Sequence, residues 1–465
     1  MSSHVKHKRK YSKRHARKNK KRLPSSPYRL TRSTLKELSS LLLDDPESTT
    51  KGLALAILIT GMTLKQLLDK KIKFELTESG VGKIYSDWHF AKATSPIFDR
   101  AEKLVTHSDN FILLPPVIAK HIEHARSQEI PHEVLDKRIR HLLAGKRGTA
   151  GQLITLNSLK RVIDFEFNTT KMTRFERDFI AQRAMNEHMQ NFYVAFSARI
   201  LISHHLEFMR IFLPKTQLIP CRHYQVSNDK MFGSRKALSA NGVRYIFEQI
   251  STMLQDAIVI NDRVAMHNIY TIYVVTILQL ATMHRPAKDV FRTIHTFQND
   301  FSQVEILDKS DSSIRLVPLC DTAKTVLLEY ISYLKGYRNR YRFLSPSHYH
   351  ALDDMLQGLS NLFRIQTSSV FLPGFDGFPE PLSDKVFSKI NWHRHTMSSF
   401  LSEAGANRDA LMAMMGHREA LDAPTRWSST FQYQQLLDIS AEIDKELKAL
   451  ALPDIQLTKF RPQGG

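Results

Sequence analysis

The chain has 465 residues, of which 42% are hydrophobic and 24% are charged; this balance is typical of globular proteins and excludes a mainly disordered chain. Its formal net charge of +20 favours a polyanionic partner. Its two cysteines, Cys221 and Cys320, exclude a disulfide framework and a cysteine-rich zinc site, and they favour a reducing cytosol.

The N-terminal tail concentrates the positive charge. Residues 6–22 hold eleven lysines or arginines and no acidic residue, and no apolar segment follows them as in a secretory signal. A block of like charge repels itself, so we predict a disordered tail that binds DNA phosphates by counterion release. The alternative is a solvated tail that only aids solubility. The residues predicted to contact DNA are Lys8, Arg9, Lys10, Lys13, Arg14, Lys20, Lys21 and Arg22.

The first half of the chain is predicted to combine helices with one β-hairpin. Apolar residues recur at helical spacing over residues 31–69. Over residues 72–86 apolar and polar residues alternate around a Glu-Ser-Gly turn, which predicts a hairpin. Residues 117–145 and 150–215 are predicted to be mainly helical. Residues 216–238 have the mixed polar composition of a linker.

The second half is predicted to be mainly helical with one small sheet. Ser239 is a plausible N-cap for a first helix, and a long apolar helix follows, whose most apolar stretch, Tyr270–Ala281, is too short to cross a bilayer. Two strands are expected around the polar turn at 308–313, and residues 337–385 are expected to be rich in loops. The predicted helices are 239–258, 262–281, 323–335, 383–390, 394–404, 407–415 and 432–449.

These patterns predict a mainly α protein with small β-sheets, of the α+β class. The expected organisation is a disordered basic tail, an N-terminal helix–hairpin region, a helical DNA-clamping domain, a catalytic-type domain and a C-terminal tail. Their predicted bounds are 1–26, 27–145, 146–255, 256–450 and 451–465.

Three apparent motifs are better explained by ordinary structure. The sequence GVGK at 80–83 lacks the first glycine and the Ser or Thr of a P-loop and lies in the predicted hairpin. His121 and His124 have no acidic set to complete a metal site, so a surface helix is expected there. Adjacent His204 and His205 point to different faces of a helix.

The informative residues form an ordered series in the second half. Arg285 lies in TMHRPAKDV and Lys309 precedes a VPL strand. Arg394 lies in NWHRHT, and His417 follows Gly416 after an EAG helix end. Each has an ordinary explanation by itself: a basic helix end, a loop lysine, a surface patch at a helix N-terminus and a capped helix end. Their order and spacing together are harder to explain in that way.

This series resembles the tyrosine recombinase (phage integrase) family over about residues 240–445. The resemblance implies that Arg285 and Arg394 hold the scissile phosphate, that Lys309 is the general acid for the 5′-oxygen, and that His417 assists. Planar guanidinium groups suit this grip because each offers several donors to phosphate. Since a covalent 3′-phosphotyrosine conserves the bond energy, the resemblance implies neither metal, ATP nor another cofactor.

Two positions depart from the family pattern. The first histidine of the family's H-x-x-R motif is Asn391 here, which can donate a hydrogen bond but cannot move protons. The nucleophilic tyrosine is expected nine or ten residues after His417, where Trp427 stands instead. Tyr433 is the nearest tyrosine and the candidate nucleophile; the alternative is an ordinary tyrosine of an amphipathic helix.

The first half contains a similar pattern. A helix, then Gly61-Met62-Thr63, then the predicted hairpin resembles the start of the catalytic domain, with Thr63 in place of the arginine. Either this region is a degenerate duplicate, or the helix–hairpin unit arose by chance.

The resemblance implies a site-specific recombinase or integrase of a mobile element. Its partner would be double-stranded DNA, bound by a dimer or tetramer, with other recombinases of the same element as further partners. No membrane is implied, and a cytoplasmic, nucleoid-associated prokaryotic location is expected. The alternatives are a recombinase-like DNA-binding protein that has lost its nucleophile, and an RNA-binding protein led by the basic tail.

Overall fold

The chain divides into two compact units in a computed structural model. The described residues are 29–86, 88, 110–165, 172–183, 193–218, 231–285, 291–307, 314–373, 391–416, 433–455 and 457. The first unit holds the described residues up to 183 together with 196–232, and the second holds 193–195 and the described residues from 233 onward.

The first unit is mainly helical, as predicted. Side-chain caps begin several of its helices: Thr31, Ser48 and Ser197 each accept a hydrogen bond from a backbone N–H in the first turn. Its helices are α1 Arg32–Leu43, α2 Thr49–Thr60, α3 Leu64–Leu68, α4 Pro116–Ser127, α5 His132–Leu143, α6 Leu156–Lys160, α7 Val162–Phe165, α8 Arg174–Ile180 and α9 Ala198–Met209.

The predicted hairpin is present and gains a third strand. Strands β1 Phe74–Leu76 and β2 Gly82–Tyr85 pair antiparallel around a turn at Gly80, whose φ of 77° suits glycine. Strand β3, Phe111–Leu114, pairs with β2 and is buried along its whole length. A fully buried strand has no polar alternation, so periodicity does not reveal it.

Helix α4 lies at the surface with one face only, and His121 is on its buried face, contrary to the expectation for that residue. His121 is buried, whereas His124 on the same helix is exposed. The ring of His121 lies against Gly52 of α2, where an added Cβ would collide with it. Helices α2 and α4 therefore approach closely, because position 52 has no side chain. His204 and His205 diverge as predicted, toward Glu176 and the Ile59 carbonyl respectively.

A buried ionic network stabilises the first unit. Arg183 bridges two carboxylates, with Nη2 2.6 Å from Asp164 Oδ1 and Nη1 2.7 Å from Asp178 Oδ1. Burial alone would lower the pKa of Arg183, but these two carboxylates raise it above its ordinary value. Removing Arg183 should destabilise the unit, because two buried carboxylates would lose their nearest cation, although Asp164 also lies 3.5 Å from Arg177 Nη1.

The second unit is built around one long buried helix. It contains α10 Ala240–Val259, α11 Arg263–Thr282, α12 Asp321–Tyr341, α13 Pro346–Gln357, α14 Trp392–Glu403, α15 Arg408–Met414 and α16 Tyr433–Ala449. Helix α11 contacts α10, α12, α14 and α16. The predicted N-cap of α10 is confirmed, since the Ser239 hydroxyl accepts from Gly242 N at 3.0 Å.

Helix α11 is longer than its most apolar stretch, Tyr270–Ala281, which is too short to cross a bilayer. Its 20 residues are, by length and composition, sufficient to span a bilayer, contrary to the expectation from Tyr270–Ala281. In this structure 83% of its most apolar window is buried inside the unit. That burial is what a central core helix requires.

The small sheet of the second unit has three antiparallel strands, with the middle strand of the sheet second in chain order. The strands β7 Gln303–Leu307 and β8 Ile314–Pro318 flank the predicted polar turn, and β6 Phe297–Gln298 pairs with β7. The segment predicted to be rich in loops instead contains α13 and a hairpin of β9 Arg364–Gln366 and β10 Phe371–Pro373. The remaining two-stranded sheet pairs β4 Ala195–Ser197 with β5 Met231–Gly233.

The division into units differs from the predicted domain bounds. The bound at 256 falls within α10, which packs on α11 and belongs to the second unit. The bound at 145 separates α5 from α6, which contact each other in the first unit. Helix packing between distant segments sets these divisions, and composition along the chain does not reveal it.

A local arrangement in the first unit has a close counterpart in the second. Helix α2 ends at Thr60, whose hydroxyl donates to Ala56 O at 2.7 Å and accepts from Met62 N at 3.1 Å. Gly61 follows in the left-handed region at φ 70°. Thr63 then caps α3, and the three-stranded sheet β1-β2-β3 leads into α4.

Helix α11 ends in the same way. The Thr282 hydroxyl donates to Leu278 O at 2.7 Å and accepts from His284 N at 3.3 Å, and Met283 is left-handed at φ 51°. A three-stranded sheet and a helix follow here too. By position, Thr63 therefore corresponds to Arg285. That the first copy is a degenerate duplicate stays a prediction.

Buried neutral histidines should make both units sensitive to acid. Burial lowers the pKa of His205 and His267 to about 4 and that of His393 to about 3, from an ordinary 6.5. As pH falls below 6.5 the unfolded chain binds protons that the folded chain rejects, so stability falls until the folded pKa is reached. Each imidazole contributes roughly 1.4 kcal/mol per pH unit across that window.

Urea unfolding between pH 7 and pH 4 measures this loss. In the His205→Gln variant, the first unit should unfold with a flatter pH dependence, because that imidazole is gone. An unchanged slope in the variant would contradict the assignment to His205.

Candidate active site

Arg285 lies just beyond the end of the central helix α11. The left-handed Met283 turns the chain out of the helix, and the buried His284 precedes Arg285. Arg285 is partly exposed, and its Nη2 donates to the Tyr193 hydroxyl at 3.4 Å. Its Nε is buried and has no hydrogen-bond partner among the residues that the structure describes. A buried guanidinium donor of this kind is suited to an anionic ligand.

The RHT motif lies in the first turn of α14 and is buried. His393 and Arg394 have no accessible surface and His395 is 5% exposed, so the alternative of a surface patch is wrong. Asn391 precedes the helix with φ 57° and ψ 36°, in the left-handed region that asparagine tolerates better than most residues. Its carbonyl accepts from Arg394 N at 3.0 Å, and its side chain makes no capping bond to any described residue.

Arg394 joins the ends of two helices. Its Nη1 donates to Met283 O at 3.1 Å, and its Nη2 donates to Met415 O at 2.5 Å. These carbonyls lie two residues before Arg285 and two residues before His417. The Arg315 guanidinium on β8 donates to the neighbouring Met414 carbonyl. Arg394 thus fixes both segments that carry predicted site residues.

Tyr193 contacts both arginines, and the sequence analysis did not identify it. The Arg394 guanidinium carbon is 4.9 Å from the centroid of the Tyr193 ring. The Tyr193 hydroxyl accepts from Arg285. No local signal in NFYVAF marks Tyr193, since it is far from the motif series in sequence and only folding brings it there.

The other motif residues anchor neighbouring segments. The His395 ring lies 4.6 Å from the Tyr193 ring, and its Nδ1 is 2.7 Å from the Ser234 hydroxyl. The Thr396 hydroxyl accepts from Leu238 N at 2.9 Å. Burial, with Lys236 and Arg394 nearby, holds the pKa of His395 well below its ordinary value. A neutral imidazole therefore adds no charge repulsion beside the arginines.

His393 bonds to the same helix end. Its Nε2 donates to the His284 carbonyl, which fixes the chain directly before Arg285. Burial is the main cause of its lowered pKa, and His284 and Arg394 lower it further. His393 is therefore neutral at physiological pH and acts here as a donor to backbone.

Several predicted residues cannot be placed. Lys309 and His417 lie outside the described residues, as do Trp427 and the basic tail residues Lys8 to Arg22.

Tyr433 is the first residue of α16, and its hydroxyl is buried beside Gln303. Burial raises the pKa of Tyr433, and Gln303 offsets part of that rise. In the β7–β8 pair, Gln303 pairs with Pro318 at one end and Leu307 pairs with Ile314 at the other. At about 3.3 Å per residue, these two ends lie about 13 Å apart along the strand.

Within the described ranges, no three His, Cys, Asp or Glu side chains cluster as a metal site would require. Cys320 is buried at the start of α12, where burial raises the pKa of its thiol to about 12.

No family model, no curated protein and no solved structure matches this chain.

Proposed function

We propose that this chain is a site-specific DNA strand transferase of the tyrosine recombinase type, working through a covalent 3′-phosphotyrosine. The observation that carries the proposal is that Arg285 and Arg394 both contact Tyr193, the first at its hydroxyl and the second at its ring, although more than a hundred residues separate the two arginines in sequence. The buried Nε of Arg285, without a partner among the described residues, supports an anionic ligand there.

Arg285 and Arg394 have different roles in this proposal. Arg285 is partly exposed and contacts a non-bridging oxygen of the scissile phosphate directly. Arg394 is fully buried and bonds to the backbone carbonyls two residues before Arg285 and two residues before His417. Its positive charge attracts the phosphate without direct contact. Preorganised charge of this kind stabilises the phosphorane-like transition state without reorganisation during the reaction.

The remaining roles follow from the motif series. The tyrosine phenol gives its proton to His417 and its oxygen forms a bond to phosphorus, the bond from phosphorus to the 5′-oxygen breaks, and Lys309 gives the 5′-oxygen a proton. Asn391 offers a neutral donor in place of the family histidine. A free 5′-hydroxyl then attacks the phosphotyrosine and reverses these steps, so neither metal nor ATP is used.

One observation favours a second candidate, a DNA-binding protein without strand transfer. The Tyr433 hydroxyl lies beside Gln303, which is at the Pro318 end of the β7–β8 pair and not at the Leu307–Ile314 end, and its raised pKa is the opposite of an activated phenol. In the first candidate, DNA binding moves α16 and delivers Tyr433. In the second, the arginines bind phosphate and no covalent bond forms.

Trapping on nicked duplex DNA tests the proposal. A nick just beyond the cut lets the short 5′-hydroxyl product diffuse away, so an active chain stays covalently attached to the 3′-phosphate. We expect an adduct that survives a denaturing gel and forms in EDTA without ATP. Binding without any adduct, on the ends of its own element as well, would favour the second candidate. Dependence on a metal or on ATP would contradict the mechanism.

We also propose the partners implied by this chemistry. The chain would bind duplex DNA as a dimer or tetramer in the cytoplasm, together with other recombinases of the same element. The formal net charge of +20 supports a polyanionic partner.

Removal of the basic tail should weaken binding without changing site preference. Deletion of residues 1–22 removes eleven cations that contact phosphates and not base edges. Affinity for specific and random duplexes should fall by about the same factor, and the salt slope should fall by about 0.9 for each lost phosphate contact. Titrations at several salt concentrations measure both. Loss of site preference with unchanged affinity for random DNA would contradict this role.

A further inference from the structure

We infer that Tyr193 is a positioning residue that fixes the Arg285 guanidinium for the scissile phosphate, an inference that rests on the proposed function. Tyr193 itself belongs to a three-residue segment, 193–195, that is part of the second unit, whereas the chain on either side belongs to the first. None of the predicted motifs includes it. Its role is visible only from its contacts.

The contacts of Tyr193 fix its ring from several directions. One face lies near the Arg394 guanidinium, which is itself held by two carbonyls, and the His395 ring lies 4.6 Å away. His395 is in turn bonded to Ser234 at 2.7 Å. A cation–π contact is stronger when the cation is removed from water, as the buried Arg394 is, so this contact helps to hold the Tyr193 ring in place.

The backbone of the segment is fixed as well. The Ala195 amide donates to the Ser399 hydroxyl on α14 at 2.8 Å, and that hydroxyl donates to His395 O at 2.7 Å. Gly233 lets the segment approach closely, because a Cβ there would collide with the Val194 carbonyl. The hydroxyl of Tyr193 is therefore a fixed acceptor, presented to a partly exposed arginine.

A fixed acceptor matters for Arg285 because a long arginine side chain has many rotamers, and phosphate binding must otherwise restrict them at the moment the phosphate arrives. The Tyr193 hydroxyl holds one terminal nitrogen of Arg285 at 3.4 Å and so orients the guanidinium group. Tyr193→Phe keeps the ring near Arg394 and removes the hydroxyl that accepts this bond.

The test compares Tyr193→Phe with the wild type on two nicked duplexes. One carries the normal scissile phosphate, and the other carries a neutral methylphosphonate at that position. We expect about a tenfold slower adduct formation on the phosphate, since a hydrogen bond to a charged group contributes about 1.5 kcal/mol or more. On the methylphosphonate the variant should lie within about threefold of wild type, because less charge remains for Arg285 to neutralise.

A double-mutant cycle gives the second measurement. In an Arg285→Ala background, Tyr193→Phe should cost almost nothing further, because the residue through which it acts is absent. Equal losses on both duplexes, or full additivity with Arg285→Ala, would show a merely structural role and overturn the inference. Complete loss of adduct in Tyr193→Phe with an active Tyr433→Phe would make Tyr193 the attacking phenol, which also overturns it.

If the wild type forms no adduct, its DNA binding still tests the positioning role of Tyr193. That outcome would remove strand transfer from the proposed function, while the arginine pair could still bind phosphate. The wild type should then prefer the phosphate duplex over the methylphosphonate duplex, and Tyr193→Phe should lose much of that preference. An unchanged preference in the variant would overturn the positioning role by itself.

Discussion

Replacing Arg285 by alanine should slow adduct formation by about 10³-fold. The developing charge on the scissile phosphate loses the partly exposed Arg285, and single charged or oxyanion donors contribute effects of this size. Duplex affinity should change by less than about fivefold, because Arg285 is one of many cations in a chain of net charge +20. Single-turnover trapping measures the rate, and a salt titration measures the affinity.

Two matched variants sharpen this result. Arg285→Lys keeps the charge but loses the planar fork, so we expect an intermediate rate. Arg340→Ala removes an exposed arginine of α12 and should keep full activity. Adduct formation by Arg285→Ala at the wild-type rate would contradict the proposed phosphate grip.

Replacing Tyr433 by phenylalanine should abolish the adduct and leave DNA affinity unchanged. The phenol must come within about 3–3.5 Å of phosphorus, so α16 must leave the position in which its first residue lies beside Gln303. Sixteen residues separate Tyr433 from His417, and a loop of that length can take up the extra chain at small entropic cost.

Other aromatic positions provide the controls for Tyr433. Trp427→Phe should keep trapping, because tryptophan has no nucleophilic oxygen to lose. Tyr245→Phe alters an exposed tyrosine of α10 and should also keep it. If Tyr433→Phe still forms the adduct, the nucleophile is another tyrosine of the same or a neighbouring protomer.

The sequence by itself determined the local structure of this chain. The long helices, the N-cap at Ser239, the hairpin at 72–86 and the strands around 308–313 follow from periodicity, capping and turn residues, which act between near neighbours. The order of Arg285, Asn391, Arg394 and His417 was also visible, because it is a property of the chain alone.

Only the tertiary structure decided the surroundings of those residues. The burial of Arg394 depends on the ends of α11 and α15, and Tyr193 reaches the arginines from a segment about ninety residues before Arg285. The buried strand β3 depends likewise on its pairing with β2, and strand β9 packs against the distant helix α11. Periodicity reports which face of an element is apolar, but the choice of partner comes from packing the whole core.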